Sequence, residues 1–483
     1  MTYLLVILFP VSMAASCFVL RKYTQFVIIA AVAVLATQAA LIAQLPLNQP
    51  ARLLGVTLTL DALTQLFILV FLGLSALAFI AALQIPHGEN FVAVGLLIMA
   101  LVCTILLLQD PFIVSLLLVG AGMAAVLAIV DLPTGAGMLV GTRVLATALK
   151  YLVLMVLAGV LMYLAFVLAD IYRPGELPGR IPLARFILAL LAAGFALRMA
   201  LIPFHTWLPD MVEDAAPLVS ALVIAVINIT SLLVLVLSFQ RFPILLVENP
   251  FGLILLRIGG IITALVGALL ALNQPGMRRT LAYLLIYDTG MVFYGLASAS
   301  TVGLTGALFE ALNLALVAVL LFISLALLER PDGRTPGVVR RDLLRRWPVA
   351  GLGFLGGGLA LLGLPPFSGF TSKMLLYQAS AQHNRVELVA LLLATGLASL
   401  ALLRLARDRL LGPGDELPVA EPLMLGETEL DRPFARRLEP EPRSTALLTL
   451  LLLVICLGIG LYPQPLLATI EEVIRGLTFI RAI

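Results

Sequence analysis

A chain of 483 residues that is 62% hydrophobic and only 12% charged, with a mean hydropathy of +1.12, is not an ordinary water-soluble domain, in which about a quarter of residues carry charge. Its net charge of +3 suggests no nucleic-acid partner. Apolar runs of about 20 residues, the length that crosses a bilayer, recur from end to end, so the composition predicts an all-α polytopic membrane protein.

Cutting at polar, Pro and Gly clusters predicts fourteen spans, over about residues 3–20, 25–44, 60–83, 91–108, 111–130, 144–168, 185–203, 217–238, 253–272, 280–298, 303–328, 348–366, 386–403 and 445–462. The first run, Leu4–Leu20, lacks a basic flank and a small-residue cleavage site, and reads as a retained helix. The seventh ends in FALRMALIPFHTWLPD, where Arg198 sits in an apolar run and Pro203 breaks it. The stretch 367–385 follows the Pro365–Pro366 break and carries Lys373; it reads as the far half of a broken twelfth helix. The breaks lie about 160 residues apart, which suggests two related five-helix halves, spans 4–8 and 9–13.

Basic residues set the orientation. With the N-terminus outside, inside loops hold Arg21 and Lys22, Arg143, Arg278 and Arg279, a run from Arg330 to Arg346, and seven arginines between 404 and 443, eighteen of the thirty Lys and Arg in all. The expected organisation is spans 1–3 over residues 1–90, a first repeat over 91–240, a second over 250–404, a cytoplasmic linker over 405–443, and the last span with a tail over 444–483. Cys17, Cys103 and Cys456 lie in apolar runs without CxxC spacing and read as small core residues. No Walker loop or haem ligand pair occurs, so neither a redox cofactor nor a metal is expected in this chain.

The residues that hydrocarbon rejects are the informative ones. Lys150 in ATALKYLVLMVLAG, Arg198, His205, Asp288 in LLIYDTGMVFYG, Glu310 in GALFEALNLAL and Lys373 are the candidates for a proton path, because a charge at mid-bilayer costs at least about 2.5 kcal/mol and must face protein or water. Each also has a plainer reading. Lys150 could snorkel and anchor a helix end. Arg198 keeps its proton in proteins and could be half of a static pair with Asp288 or Glu310, but both belong to the second half and are expected nearer to Lys373, so the favoured reading is a hydrated contact with His205 and the backbone freed at Pro203. His205 could be structural.

The runs RMALIPFHTWLPD, AAPLVSAL, ALNQPGMRRTLAYLLIYDTG and LLGLPPFSGFTSKMLL, with ATALKYLVLMVLAG before them, resemble signatures of the antiporter-like membrane subunits of respiratory complex I and of Mrp-type cation/proton antiporters. The resemblance covers about residues 60–400 and implies fourteen helices in two inverted five-helix repeats, each with one broken helix. It also places the family's functional positions. The fifth-helix glutamate falls near Val119–Gly120, the seventh-helix lysine on Arg198, the eighth-helix lysine on Asn228, and the eleventh-helix His and Lys on Leu314 and Ala318; only the twelfth-helix lysine is kept, as Lys373. Length argues against the longest, L-type, subunit and favours an N- or M-type. The resemblance implies a proton-translocating membrane-arm subunit of a complex I-like NADH:quinone oxidoreductase in a bacterial inner membrane. Its partners would be other membrane-arm subunits and lipids, with quinone and NADH bound elsewhere in the complex. A non-pumping structural member of the same arm and a subunit of an Mrp-type antiporter are the alternatives.

Overall fold

The structure, a computed structural model, describes residues 2–477 except 54, 132–141, 172–180, 248, 330–342 and 413–440. Arg330, Arg334, Arg340, Arg341 and most of the expected linker therefore lie outside the described residues.

Among the described residues, eleven helices are long and apolar enough to cross a bilayer, and three further spans bring the total to fourteen: the short helix Phe91–Leu107 and two broken helices. Span 7 consists of Ile181–Arg198 and Trp207–Asp214, and span 12 of Pro348–Leu362 and Gly369–His383. The sequence put the end of the seventh span at 203; the helix stops at Arg198, and residues 199–206 form the break. A small antiparallel hairpin, Ala51–Leu53 paired with Val56–Leu58, was not anticipated; it covers the end of span 4 through Gln109 N–Thr57 O at 3.1 Å. The chain after span 14 forms an amphipathic helix, Gln464–Arg475, whose Ile470, Val473 and Ile474 are buried.

The two five-span units share a plan. In each, the third member is a very long helix, Thr142–Ile171 (30 residues) and Thr301–Leu328 (28 residues). In each, the fourth member is broken and the fifth holds a π-helical turn, Val223–Asn228 in span 8 and Ala406–Leu410 in span 13. The second unit's long helix lies at the centre. Its whole hydrophobic window is buried, against 28% for the windows of spans 1, 13 and 14, which offer apolar surface to lipid. Span 11 packs on spans 8 and 12, and the far half of span 7 packs on span 10, so the units meet along the broken helices.

A fourteen-span alternation puts Asn273 and Asn384 on opposite faces, and both are exposed. Cys17, Cys103 and Cys456 are buried, so they form a silent background. Asn273→Cys should label only with a reagent applied to the cytoplasmic side and Asn384→Cys only from outside. Labelling of both from one side would mean an even number of spans between them.

Candidate functional site

A broken helix inside a bilayer leaves backbone groups that only protein or a wet cavity can satisfy. At span 7 the indole Nε1 of Trp207 donates to Leu197 O at 2.9 Å, and Thr263 Oγ1 of span 9 accepts from Ile202 N at 3.2 Å. At span 12 the turn is made by Gly363 at φ +73°, where a side chain would also collide with Lys373, and Asn313 Nδ2 of span 11 reaches Ala360 O at 3.3 Å. Gly369 passes so close to Ala360 O that no Cβ fits. Each break is thus held by a side chain from elsewhere, and that grip fixes where the next residues point.

The second break holds the charged centre. Lys373 is 1% exposed, and Asp288 and Glu310 are both fully buried. Its ammonium makes a short ion pair with Asp288 Oδ1 and lies 3.3 Å from Glu310 Oε1. It also sits 4.9 Å over the ring of Tyr287, a cation–π distance. Glu310 is held in turn by Asn313 Nδ2 at 3.1 Å and by a short bond from Ser372 Oγ, and Ser368 Oγ donates to Asn313 Oδ1 at 2.5 Å. Thr395 Oγ1 gives its proton to Leu391 O, so the hydroxyls of Tyr287 (2.7 Å) and Tyr377 (2.6 Å) both donate to it. Asp288 Oδ2 has no hydrogen-bond partner. Fully ionised, two carboxylates around one ammonium leave one uncompensated negative charge, which is costly in a dry interior. Taking up one proton neutralises the group, so the arrangement is suited to holding one exchangeable proton.

The first break holds a different chemistry. Arg198 is completely buried at the C-terminal end of its half-helix, where the helix dipole favours a cation. It donates from Nε to Ser231 Oγ at 2.7 Å and from Nη2 to Leu118 O at 2.7 Å, while Nη1 has no partner. Among the described residues no carboxylate pairs with it. The expected contact with His205 is not made: the His205 ring lies against Tyr283 with centroids 6.0 Å apart, and Ser231 and a span 5 carbonyl take its place. Pairing of Arg198 with Asp288 or Glu310 is likewise not found, because both turn to Lys373. The span 5 backbone thus supplies the acceptor at a level where the family pattern led one to look for a glutamate.

Lys150 is in neither centre. It sits toward the end of span 6 that meets the far half of span 7, its side chain 37% exposed, and pairs with Asp210 Oδ2 at 2.8 Å and Thr206 O at 3.0 Å. It belongs to a rim cluster. Arg279 contacts Asp210 at 3.6 Å and makes a short pair with Glu213, and Arg143 bridges Glu213 (2.9 Å) and Asp214 (3.0 Å). Arg278 pairs with Glu329 at 2.7 Å and caps the free carbonyls of Glu213 (2.9 Å) and Ala215 (2.8 Å) at the end of span 7. Ser231, Ser368, Ser372, Tyr287, Thr395 and Asp210 escaped sequence reasoning. Asn313 was legible, since a polar residue three positions after Glu310 shares its helix face.

The model of the NADH:quinone oxidoreductase/Mrp antiporter transmembrane family matches residues 138–398 of this chain. The chain is 28% identical over 380 residues to the F(420)H(2) dehydrogenase subunit N of Methanosarcina mazei, a match that covers 71% of this chain and 73% of that protein. It is 30% identical over 256 residues to the NADH-quinone oxidoreductase subunit N 2 of Syntrophobacter fumaroxidans, covering 52% of this chain and only about half (54%) of that relative's length. In fold it is similar to a chain of the Mrp complex from Dietzia sp. (TM-score 0.83, 19% identity, 99% of this chain and 98% of that one). It is similar also to a chain of respiratory complex I from Thermus thermophilus (TM-score 0.79, 19% identity, 100% and 99%).

The charged centre makes its own prediction. Lys373→Met strands two buried carboxylates and should destabilise the protein by about 3–5 kcal/mol. Asp288→Asn leaves Glu310 on the ammonium and should cost less than half as much. Thermal unfolding in detergent ranks the two; equal losses would show that Glu310 compensates nothing.

Proposed function

The chain belongs to the NADH:quinone oxidoreductase/Mrp antiporter transmembrane family, and on that footing we propose that it is a proton-translocating membrane-arm subunit of a complex I-like oxidoreductase in a bacterial inner membrane. Electrons pass through partner subunits; this chain holds no redox centre of its own. The observation that carries the reading is the buried Lys373–Asp288–Glu310 group at the break of span 12. A charge change in a neighbouring subunit would alter the stability of the ammonium and the ionised carboxylates, driving a proton on or off. In this proposal Lys373, Asp288 and Glu310 carry the proton, and Tyr287 and Asn313 position them. Arg198 supplies a fixed field, because its guanidinium does not exchange its proton. Lys150, Asp210 and His205 line the approach from the rim.

A second reading has one specific observation in its favour. The first half buries an arginine held by a hydroxyl and a carbonyl, with no paired carboxylate among the described residues, which is what a half that no longer relays protons would contain. The chain would then be a structural member of the arm. The third reading, an Mrp-type antiporter subunit, is separated by partners: mild-detergent purification should bring down iron–sulfur and quinone-reducing subunits, whereas an antiporter brings down membrane subunits only.

Lys373→Ala should lower the protons moved per turnover while the complex still assembles. Unchanged stoichiometry in a fully assembled variant would favour the structural reading. Arg198→Lys should lose one of two charged hydrogen bonds, about 1.5–3 kcal/mol of stability, and leave pumping per assembled complex as it was. A new pH dependence of pumping in that variant would instead make position 198 a proton carrier.

A further inference from the structure

Between the near half of span 7 and span 9, a groove of about 540 Å³ opens toward the bilayer. It exists because its lining side chains are small: Ala189, Ala192, Ala193 and Ala196 on span 7 and, on span 9, Gly259, beside which an added Cβ would meet nothing within 4 Å. It runs from Arg185 near the outer end of span 7 to Leu201 at the break, and its helical part, as far as Arg198, is about 20 Å long at the helical rise. Its lining of small apolar side chains suits an acyl chain laid along span 7.

The outer end is polar in a particular way. Arg185 supplies a cation at the rim. Asn249, which precedes span 9 and is 2% exposed, also lines the groove. Its Nδ2 donates to Leu245 O at 2.9 Å, and this fixes the amide orientation, since a flip would set two acceptors together. Its Oδ1 is left buried without a partner. Buried acceptors in proteins are ordinarily satisfied, so this one calls for a donor. The head end therefore offers a cation for a phosphate and an acceptor for a hydroxyl or ammonium; basic pockets between membrane helices recognise lipid headgroups in this manner. Choline has no donor to give, whereas glycerol and ethanolamine heads do.

We propose that this groove is a binding site for one outer-leaflet phospholipid with a hydrogen-bond-donating head, its phosphate on Arg185, its head donor on Asn249 Oδ1 and one acyl chain laid along the alanines to the break of span 7. The site is independent of proton translocation. The test is native mass spectrometry of the full chain in detergent, titrated with dioleoyl phosphatidylglycerol, phosphatidylethanolamine or phosphatidylcholine. One adduct of either donor lipid should form about tenfold more tightly than the choline lipid, the worth of one hydrogen bond. Asn249→Leu should erase that preference, Arg185→Ala should weaken all three lipids alike, and Ala193→Trp, which fills the groove, should remove the adduct altogether. The proposal is overturned if Ala193→Trp, with an unchanged melting midpoint, retains the adduct, if the wild type does not distinguish the three lipids, or if the groove carries a co-purifying polypeptide instead.

Discussion

The ammonium of Lys373, buried inside the bilayer between Asp288 and Glu310, is the interaction on which the second half of the molecule depends. A lone cation there would be too costly to keep, and two ionised acids there without it would leave two uncompensated charges. Keeping the three together demands that spans 10, 11 and 12 meet at one level. That requirement explains why span 11 is buried along its length and why the break in span 12 is gripped from span 11 by Asn313. The same asparagine holds Glu310 and the freed Ala360 carbonyl, so the backbone break and the charge centre form one hydrogen-bonded unit.

The first half keeps the scaffold and changes the chemistry. Its long third helix, broken fourth helix and π-helical fifth helix repeat the plan of the second half, yet Arg198 is held by Ser231 and Leu118 O. A planar guanidinium suits such neutral acceptors because its donors fan out in a fixed fork. The two halves can therefore share a fold while, among the described residues, only the second buries a lysine between two carboxylates at its break. Fold similarity to known antiporter-like chains speaks to the scaffold, and the side chains at each break speak to the chemistry.

The rim cluster ties the halves together mechanically. Arg278 and Arg279, at the start of span 10, hold the end of span 7 through its carbonyls and through Glu213 and Asp210. Asp288 lies on the same span 10, about 15 Å further along at the helical rise. Asp210 is shared between Lys150 and Arg279, so the rim binds span 6, the broken span 7 and span 10 at one point.

The spans themselves were legible in the sequence. Crossing a bilayer is a local demand on length and hydropathy, and Pro203 and Pro365–Pro366 announce a break wherever they stand in a helix. The candidate charges were legible too, since a lone Lys373, Asp288 or Glu310 in an apolar run stands out by itself. That Asp288 and Glu310 lie in the same half as Lys373, and so nearer to it than to Arg198, was legible; the contacts themselves were not. Lys373 and Asp288 are 85 residues apart, and nothing local shows that one ammonium meets both acids. The partners of Arg198 were less visible still, because Leu118 contributes a backbone carbonyl, and every residue has one. Lys150, which the sequence offered as a charge at depth, was moved to the rim by its pairing with Asp210 on another helix. Sequence settles what must be buried, for the solvent penalises each residue separately; only the packing of helices settles what compensates it, for that is a property of pairs.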